Sequence, residues 1–439
     1  MRKIVVLFVV AFCLLSTGMR AQHTFVHKQS STYEWPEDSL VLKKLDQWRD
    51  LKFGVIFHWG LYAVPGIVES WALCSEDVDW ISRYGHNNYQ EFKDWYWNGL
   101  SKQFNPTEFE PAQWAEVTKQ AGMKYMIFTT KHHDGFAMYH SACSDYNIVT
   151  RTPFARDPMK ELADECRKQG LKFGFYYSLG RDWEDPDVPT NWPTKAGRSN
   201  TWDFPDEDNK NLQAYIDRKV LPQLTELLTN YGEIAMMWFD TPEMVTKEQS
   251  RSIRRLIERL QPHCLINSRI GNGLGDYRII EQKLMNEIDP KPWEACLTMG
   301  ANWGYNKYDT VYKKPDMMIR NLTDVVSKGG NLLLNIGPNP QGSFPQQRHE
   351  WQAYHKSAGL WLSQRRGRTL YRGRRSCPGR QADFQLVPCR ERSDQNRPCI
   401  DRAANPNTGY IGIPQDRQHT PLLPRLSLQV GDQHDCPYP

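Results

Sequence analysis

The chain has 439 residues and a mass of 51.3 kDa, with 39% hydrophobic, 24% charged and 12% aromatic residues. That is enough apolar material for one large core or two, and too much for general disorder. Lys+Arg minus Asp+Glu is 55 − 51 = +4, too small an excess for an obligate nucleic-acid binder. Sixteen Trp and 20 Tyr exceed ordinary core needs, and flat aromatic faces suit sugar rings, so the composition points toward a carbohydrate partner.

Residues 1–21 begin Met1-Arg2-Lys3, continue with an apolar run from Ile4 to Leu15, and end in small and polar residues at Ala21. This is the pattern of a secretory signal peptide, with an exported mature chain starting near Gln22 and destined for the periplasm or the exterior. The apolar run is short for a bilayer span, so no stable membrane insertion is expected. Cys74, Cys143, Cys166, Cys264 and Cys296 sit mostly in apolar segments and contain no C-x-x-C pair; buried free thiols are expected there rather than a zinc site.

From residue 40 to about 362, short apolar runs alternate with amphipathic stretches. Strands are predicted at 52–60, 125–133, 172–178, 234–240, 264–269 and 331–337. Helices are predicted near 111–121, 158–169, 208–230, 247–261, 316–328 and 345–362. Continuous apolar strands followed by helices imply a parallel sheet covered on both faces. Six such units, with room for more, favour an α/β fold of the (β/α)8-like barrel type over residues 22–362. The strand candidates end in His58-Trp59, Lys131-His132-His133, Tyr176-Tyr177-Ser178, Trp238-Phe239-Asp240 and Asn267-Ser268-Arg269. In a β/α barrel the C-terminal strand ends converge on the active site.

Residues 363–439 differ in kind. Beyond residue 364 they hold 13 Arg, no Lys, 7 Asp+Glu and four Cys, with no sustained periodicity. An Arg- and Cys-rich tail of this sort reads either as a basic arm or as out-of-frame translation after about Ser363, and the abrupt loss of Lys favours the second.

Three chemistries compete for the polar strand ends. A metal site could draw on His58, His132, His133 and Asp240, but adjacent histidines share one side of a strand only if it has ended or bulged, and no H-E-x-x-H spacing occurs. Serine nucleophile chemistry lacks a G-x-S-x-G elbow. A carboxylate pair acting on a glycosidic bond fits best. Asp240 closes the apolar run Ile-Ala-Met-Met-Trp-Phe, a costly place for a charge unless it is paired at the open strand end; the alternative is a helix N-cap before Thr241-Pro242-Glu243. The proton donor would come from Glu281, Glu287 or Glu294, which pattern alone does not separate.

In their order, these segments resemble the α-L-fucosidases of glycoside hydrolase family 29, from roughly Trp48 to Gly337. The resemblance rests on Phe53-Gly54-Val55-Ile56-Phe57-His58-Trp59-Gly60, Thr130-Lys131-His132-His133-Asp134-Gly135-Phe136, Phe175-Tyr176-Tyr177-Ser178 and Trp238-Phe239-Asp240. It continues through Asn267-Ser268-Arg269, Trp293-Glu294, Trp303-Gly304-Tyr305-Asn306 and the run from Ser327 to Pro338. It implies a retaining exo-α-L-fucosidase without metal or organic cofactor, with Asp240 as nucleophile and Glu281 or Glu294 as acid/base, Glu281 slightly favoured by its spacing of 12 residues from Arg269. It also implies fucose contacts from His58, Glu69, Trp71, His132, His133, Tyr176, Trp238 and Arg269, and a fucosylated oligosaccharide or glycoconjugate as partner. The rivals are a related glycosidase for another sugar, such as an α-L-galactoside, and an inactive fucose-binding protein. The family usually carries a C-terminal β-sandwich, whose place the tail takes here.

Overall fold

The computed structural model describes residues 32–344 apart from 76–82, 84, 87 and 191–198. The expected signal peptide, the helix at 345–362 and the tail lie outside the described residues.

Eight parallel strands run β1 (Phe53–Phe57), β2 (Tyr125–Lys131), β3 (Lys172–Ser178), β4 (Met236–Asp240), β5 (Leu265–Ile266), β6 (Arg278–Glu281), β7 (Trp293–Thr298) and β8 (Asn331–Ile336). They are ordered β5-β4-β3-β2-β1-β8-β7-β6. β5 and β6 are joined by the single bridge Asn267–Tyr277, so the sheet curls into a (β/α)8-like barrel. The principal helices are α1 (Ser39–Arg49), α2 (Tyr89–Asp94), α3 (Pro111–Gln120), α4 (Pro158–Gln169), α5 (Leu221–Asn230), α6 (Lys247–Leu260) and α7 (Pro315–Ser327).

The helix boundaries follow local chemistry. Asp157 accepts from the Lys160 N–H ahead of Pro158, and α4 stops at Gly170 with φ 74°. Thr246 and Gln249 form a reciprocal capping box on α6. The helix predicted at 208–230 is broken into Leu212–Tyr215, a wide π turn at Ile216–Val220, and α5. Pro222 has no N–H to give the preceding turn, and the looser turn absorbs that loss.

Alternation along each strand separates two cores. One set faces the helices. The other fills the barrel: Ile56, Tyr125, Ile127, Tyr176, Met236, Trp238, Leu265, Tyr277, Ile279, Cys296 and Leu333. α1 closes the N-terminal end by inserting Val41, Leu45 and Trp48, a helical stripe at i, i+4 and i+7, into the same cluster. Gly54 admits the Tyr125 ring, since a Cβ there would lie 2.4 Å from it. Cys74, Cys166, Cys264 and Cys296 are buried free thiols, as expected, whereas Cys143 is exposed because it sits on a turn rather than in an apolar segment.

Candidate active site

The inward series is what builds the site. Two residues past Trp238 lies Asp240, two past Ile279 lies Glu281, and two past Ile56 and Leu333 lie His58 and Asn335. With a side-chain period of two, each polar group points the way its buried predecessor does, at the open C-terminal mouth.

Asp240 is only 8% exposed. Its Oδ2 accepts from the Tyr176 hydroxyl at 2.7 Å, and its Oδ1 from Arg269 Nη1 at 2.8 Å and the Thr241 N–H at 2.9 Å. These donors offset the cost of burying a carboxylate and fix its plane. It is not a helix N-cap: no helix follows until Lys247, and that helix is capped by Thr246. The strand end is held by Asn267, whose amide accepts from Phe239 N at 3.0 Å and donates to Phe239 O at 2.9 Å.

The paired histidines are delivered by a bulge. The β2–β3 register shifts between Thr129 and Lys131, and β2 ends at Lys131. Lys131 turns into the helical layer, where its ammonium meets Asp182 at 3.0 Å and the Tyr215 hydroxyl at 2.6 Å. His132 and His133 then follow beyond the strand, both buried, with ring centroids 4.1 Å apart. Both therefore reach one site despite being adjacent in sequence.

Hydrogen bonds set the ring nitrogens. Asn335 Nδ2 donates to Trp303 O at 2.6 Å, which turns its Oδ1 toward His58; His58 Nδ1 therefore donates to it, at 2.6 Å, and Nε2 is left as an acceptor. Burial pushes the His58 imidazole down to about 4, so it is neutral across the mildly acidic and neutral range. Ser178 donates to Arg181 O at 2.7 Å, so it accepts from His133 Nδ1 at 2.7 Å, and His133 Nε2 lies 4.0 Å from Asp240 Oδ2. His132 shares a 2.5 Å hydrogen bond with Ser70, and burial holds its imidazole well below its ordinary value.

Glu69 is buried and accepts from the Gly304 N–H, while burial pushes its carboxyl up to about 7. Trp71 packs its ring 4.5 Å from that of His133 and lies under the Arg181 guanidinium. Arg269 joins the two acidic strand ends: Nη1 donates to Asp240 and Nη2 to Glu281. The Glu281 side chain is 26% exposed. Glu294 stands apart. It opens β7 rather than closing it and is fully buried in the barrel; Oε2 accepts from the Tyr125 hydroxyl at 2.6 Å and Oε1 from Trp238 Nε1 at 2.9 Å. Its carboxyl is pushed up to about 7 by burial. Glu287 lies on the β6–β7 connection, off the strand ends.

A family model described as α-L-fucosidase matches residues 20–366 of the chain. The chain belongs to the α-L-fucosidase family. It is a glycoside hydrolase, and its relatives carry that name across distant organisms. The Mus musculus tissue α-L-fucosidase is 30% identical over 329 residues, 71% of this chain and 68% of that protein. The Dictyostelium discoideum α-L-fucosidase is 26% identical over 356 residues, 76% of this chain and 73% of that protein. Among solved structures, a Lactobacillus casei α-L-fucosidase in complex with α-L-fucose product is 35% identical, with a TM-score of 0.64, covering 73% of this chain and 99% of that chain. A Paenibacillus thiaminolyticus α-L-fucosidase isoenzyme is 35% identical at a TM-score of 0.64, covering 74% of this chain and 77% of that one.

Ser70 and Asp182 carry no signal in the sequence, whereas Lys131, Ser178, Asn335 and Trp303, whose ring lies 5.2 Å from that of His58, fall within the quoted motifs without a role there.

Proposed function

We propose that this chain is a retaining exo-α-L-fucosidase acting through a covalent fucosyl–Asp240 intermediate, with Glu281 as acid/base. Family membership and one contact support it: a single guanidinium, that of Arg269, is shared by Asp240 at the end of β4 and Glu281 at the end of β6. In the first step an Asp240 oxygen bonds to the anomeric carbon while the glycosidic C–O bond breaks and the leaving oxygen takes the proton of Glu281. In the second, Glu281 carboxylate removes a proton from water, which attacks the same carbon and releases Asp240, so the configuration is retained. Tyr176 and Arg269 hold the nucleophile's plane. His58, His132, His133, Glu69, Trp71 and Trp238 would meet the sugar; His58 Nε2 can accept from one of its hydroxyls, and the aromatic faces suit its C5 methyl group. The L. casei structures with α-L-fucose, and of a variant with Fuc(α1,6)GlcNAc, support a fucoside as substrate. The N-terminal pattern supports export, and no described helix is long and apolar enough to cross a membrane.

The test uses a 4-nitrophenyl α-L-fucoside with and without azide. Glu281→Gln should keep fast glycosylation of this activated substrate and regain turnover with azide, giving fucosyl azide of retained configuration. Asp240→Ala should lose turnover and, with azide, give the inverted product. A Glu281→Gln enzyme that azide does not rescue overturns the acid/base assignment. Fucose binding by the wild type without nitrophenol release overturns the enzyme reading in favour of a binding protein, and faster release from the α-L-galactoside would change the sugar.

A further inference from the structure

Glu294 is a buried carboxyl that the proposed mechanism leaves without a task, and its surroundings give it one. It reaches across the barrel from β7 to touch β2 and β4 at once, through the Tyr125 hydroxyl and the Trp238 indole. The indole N–H is the one polar group of the Trp238 side chain, so the acceptor it finds fixes the rotation of the ring within its own plane. That ring is in turn a platform. The Tyr176 ring stacks on it at 5.6 Å with an interplanar angle of 22°, and the Arg269 guanidinium carbon lies 5.0 Å from its centroid. Tyr176 and Arg269 are the side chains that donate to the two oxygens of Asp240. A continuous set of contacts therefore runs from Glu294 to the indole, from the indole to two donors, and from those donors to the carboxylate.

We propose that Glu294 is a positioning residue, not the proton donor: by anchoring the Trp238 indole it sets where Tyr176 and Arg269 hold the Asp240 carboxylate. This rests on the assignment of Asp240 as nucleophile. A carboxyl suits the task better than an amide, because its two oxygens accept from donors on two strands, whereas an amide offers a single oxygen. A leucine of similar size would leave both the Tyr125 hydroxyl and the indole N–H buried without that partner.

The inference separates from an acid/base role by leaving-group dependence. An acid/base variant loses most on poor leaving groups and little on activated ones, whereas a misplaced nucleophile loses equally on both. Glu294→Leu should lower kcat/KM by roughly 10- to 100-fold, the scale of a buried donor left without its acceptor, by the same factor for 4-nitrophenyl and for an unactivated alkyl fucoside, with no azide rescue. Glu294→Gln keeps an acceptor for the indole and should recover most of that loss. Trp238→Phe keeps the ring and removes its N–H, so in that background exchanging Gln for Leu at 294 should matter by less than about threefold. Should the Leu variant not fold, Glu294→Ala, Trp238→Phe and their double variant close the same cycle. A Glu294→Gln enzyme with a leaving-group-dependent loss that azide rescues, a Leu variant with wild-type turnover, or additive effects with Trp238→Phe would each overturn it. Asp240→Ala and Glu281→Gln, measured alongside, report the catalytic assignments: a failure there with the 294–238 coupling intact faults the mechanism and not this contact.

Discussion

Replacing Glu294 by Gln should change how stability depends on pH, and the direction follows from where the residue lies. Burial raises its carboxyl from an ordinary 4.5 to about 7, the donors Tyr125 and Trp238 offsetting only part of the penalty. Between those values the folded protein holds a proton that the unfolded chain has released, so the folded state loses ground as pH rises. At about 1.4 kcal/mol per pH unit the loss over that window is roughly 3 kcal/mol. Glu69 and Asp134, also raised to about 7 by burial, act in the same direction. His58, depressed to about 4, acts in the opposite one, stabilising the fold as pH rises from 4 toward its ordinary 6.5. These contributions are common to wild type and variant and cancel in their difference. Urea denaturation of both proteins at half-unit steps from pH 4.5 to 7.5, followed by tryptophan fluorescence, should show the Gln variant gaining stability relative to wild type by about 3 kcal/mol. A difference that stays level across that range would refute the argument, since it would mean that Glu294 ionises in the folded state as it does in the unfolded chain.

Two further substitutions test the scaffold that presents the histidines. Gly135 has φ 77°, and a Cβ there would lie 2.4 Å from Asp182 Oδ1, so Gly135→Ala should cost about 2 kcal/mol or more and lower kcat/KM by shifting His133; an unchanged Tm and kcat/KM would contradict this. Lys131→Met leaves the buried Asp182 with Lys219, at 2.9 Å, as its partner and should destabilise the fold by about 3 kcal/mol in denaturant titration, whereas a midpoint equal to the wild type's would show that Lys219 alone satisfies it.

The barrel and much of its mouth were legible in the sequence because the strongest strands are apolar runs ending in polar residues. β6 and β7 lack that signature. Arg278–Glu281 is four residues long, and Trp293–Thr298 carries Glu294 where a strand interior ought to be apolar; only the fold reveals that Trp238 and Tyr125 receive that carboxyl. β5 was expected to run through Arg269 but stops at Ile266, because the Asn267 side chain takes over the bonds to Phe239 that further backbone pairing would have made. The partners that orient the histidines, Ser70, Ser178 and Asn335, are common residue types whose meaning lies in which ring nitrogen they face. Glu281 and Glu294 look alike as acidic residues near strands; they differ in which end of a strand they occupy, and that follows from strand boundaries the pattern left blurred.

The single bridge between β5 and β6 makes that junction the clasp of an otherwise fully laddered cylinder. Arg269 follows one of those strands and Glu281 ends the other, so their ion pair fastens the clasp from above. On the proposed reading of Glu281 as acid/base, a substrate that draws it toward the glycosidic oxygen would act beside the strand junction that has, among the described residues, the fewest paired positions.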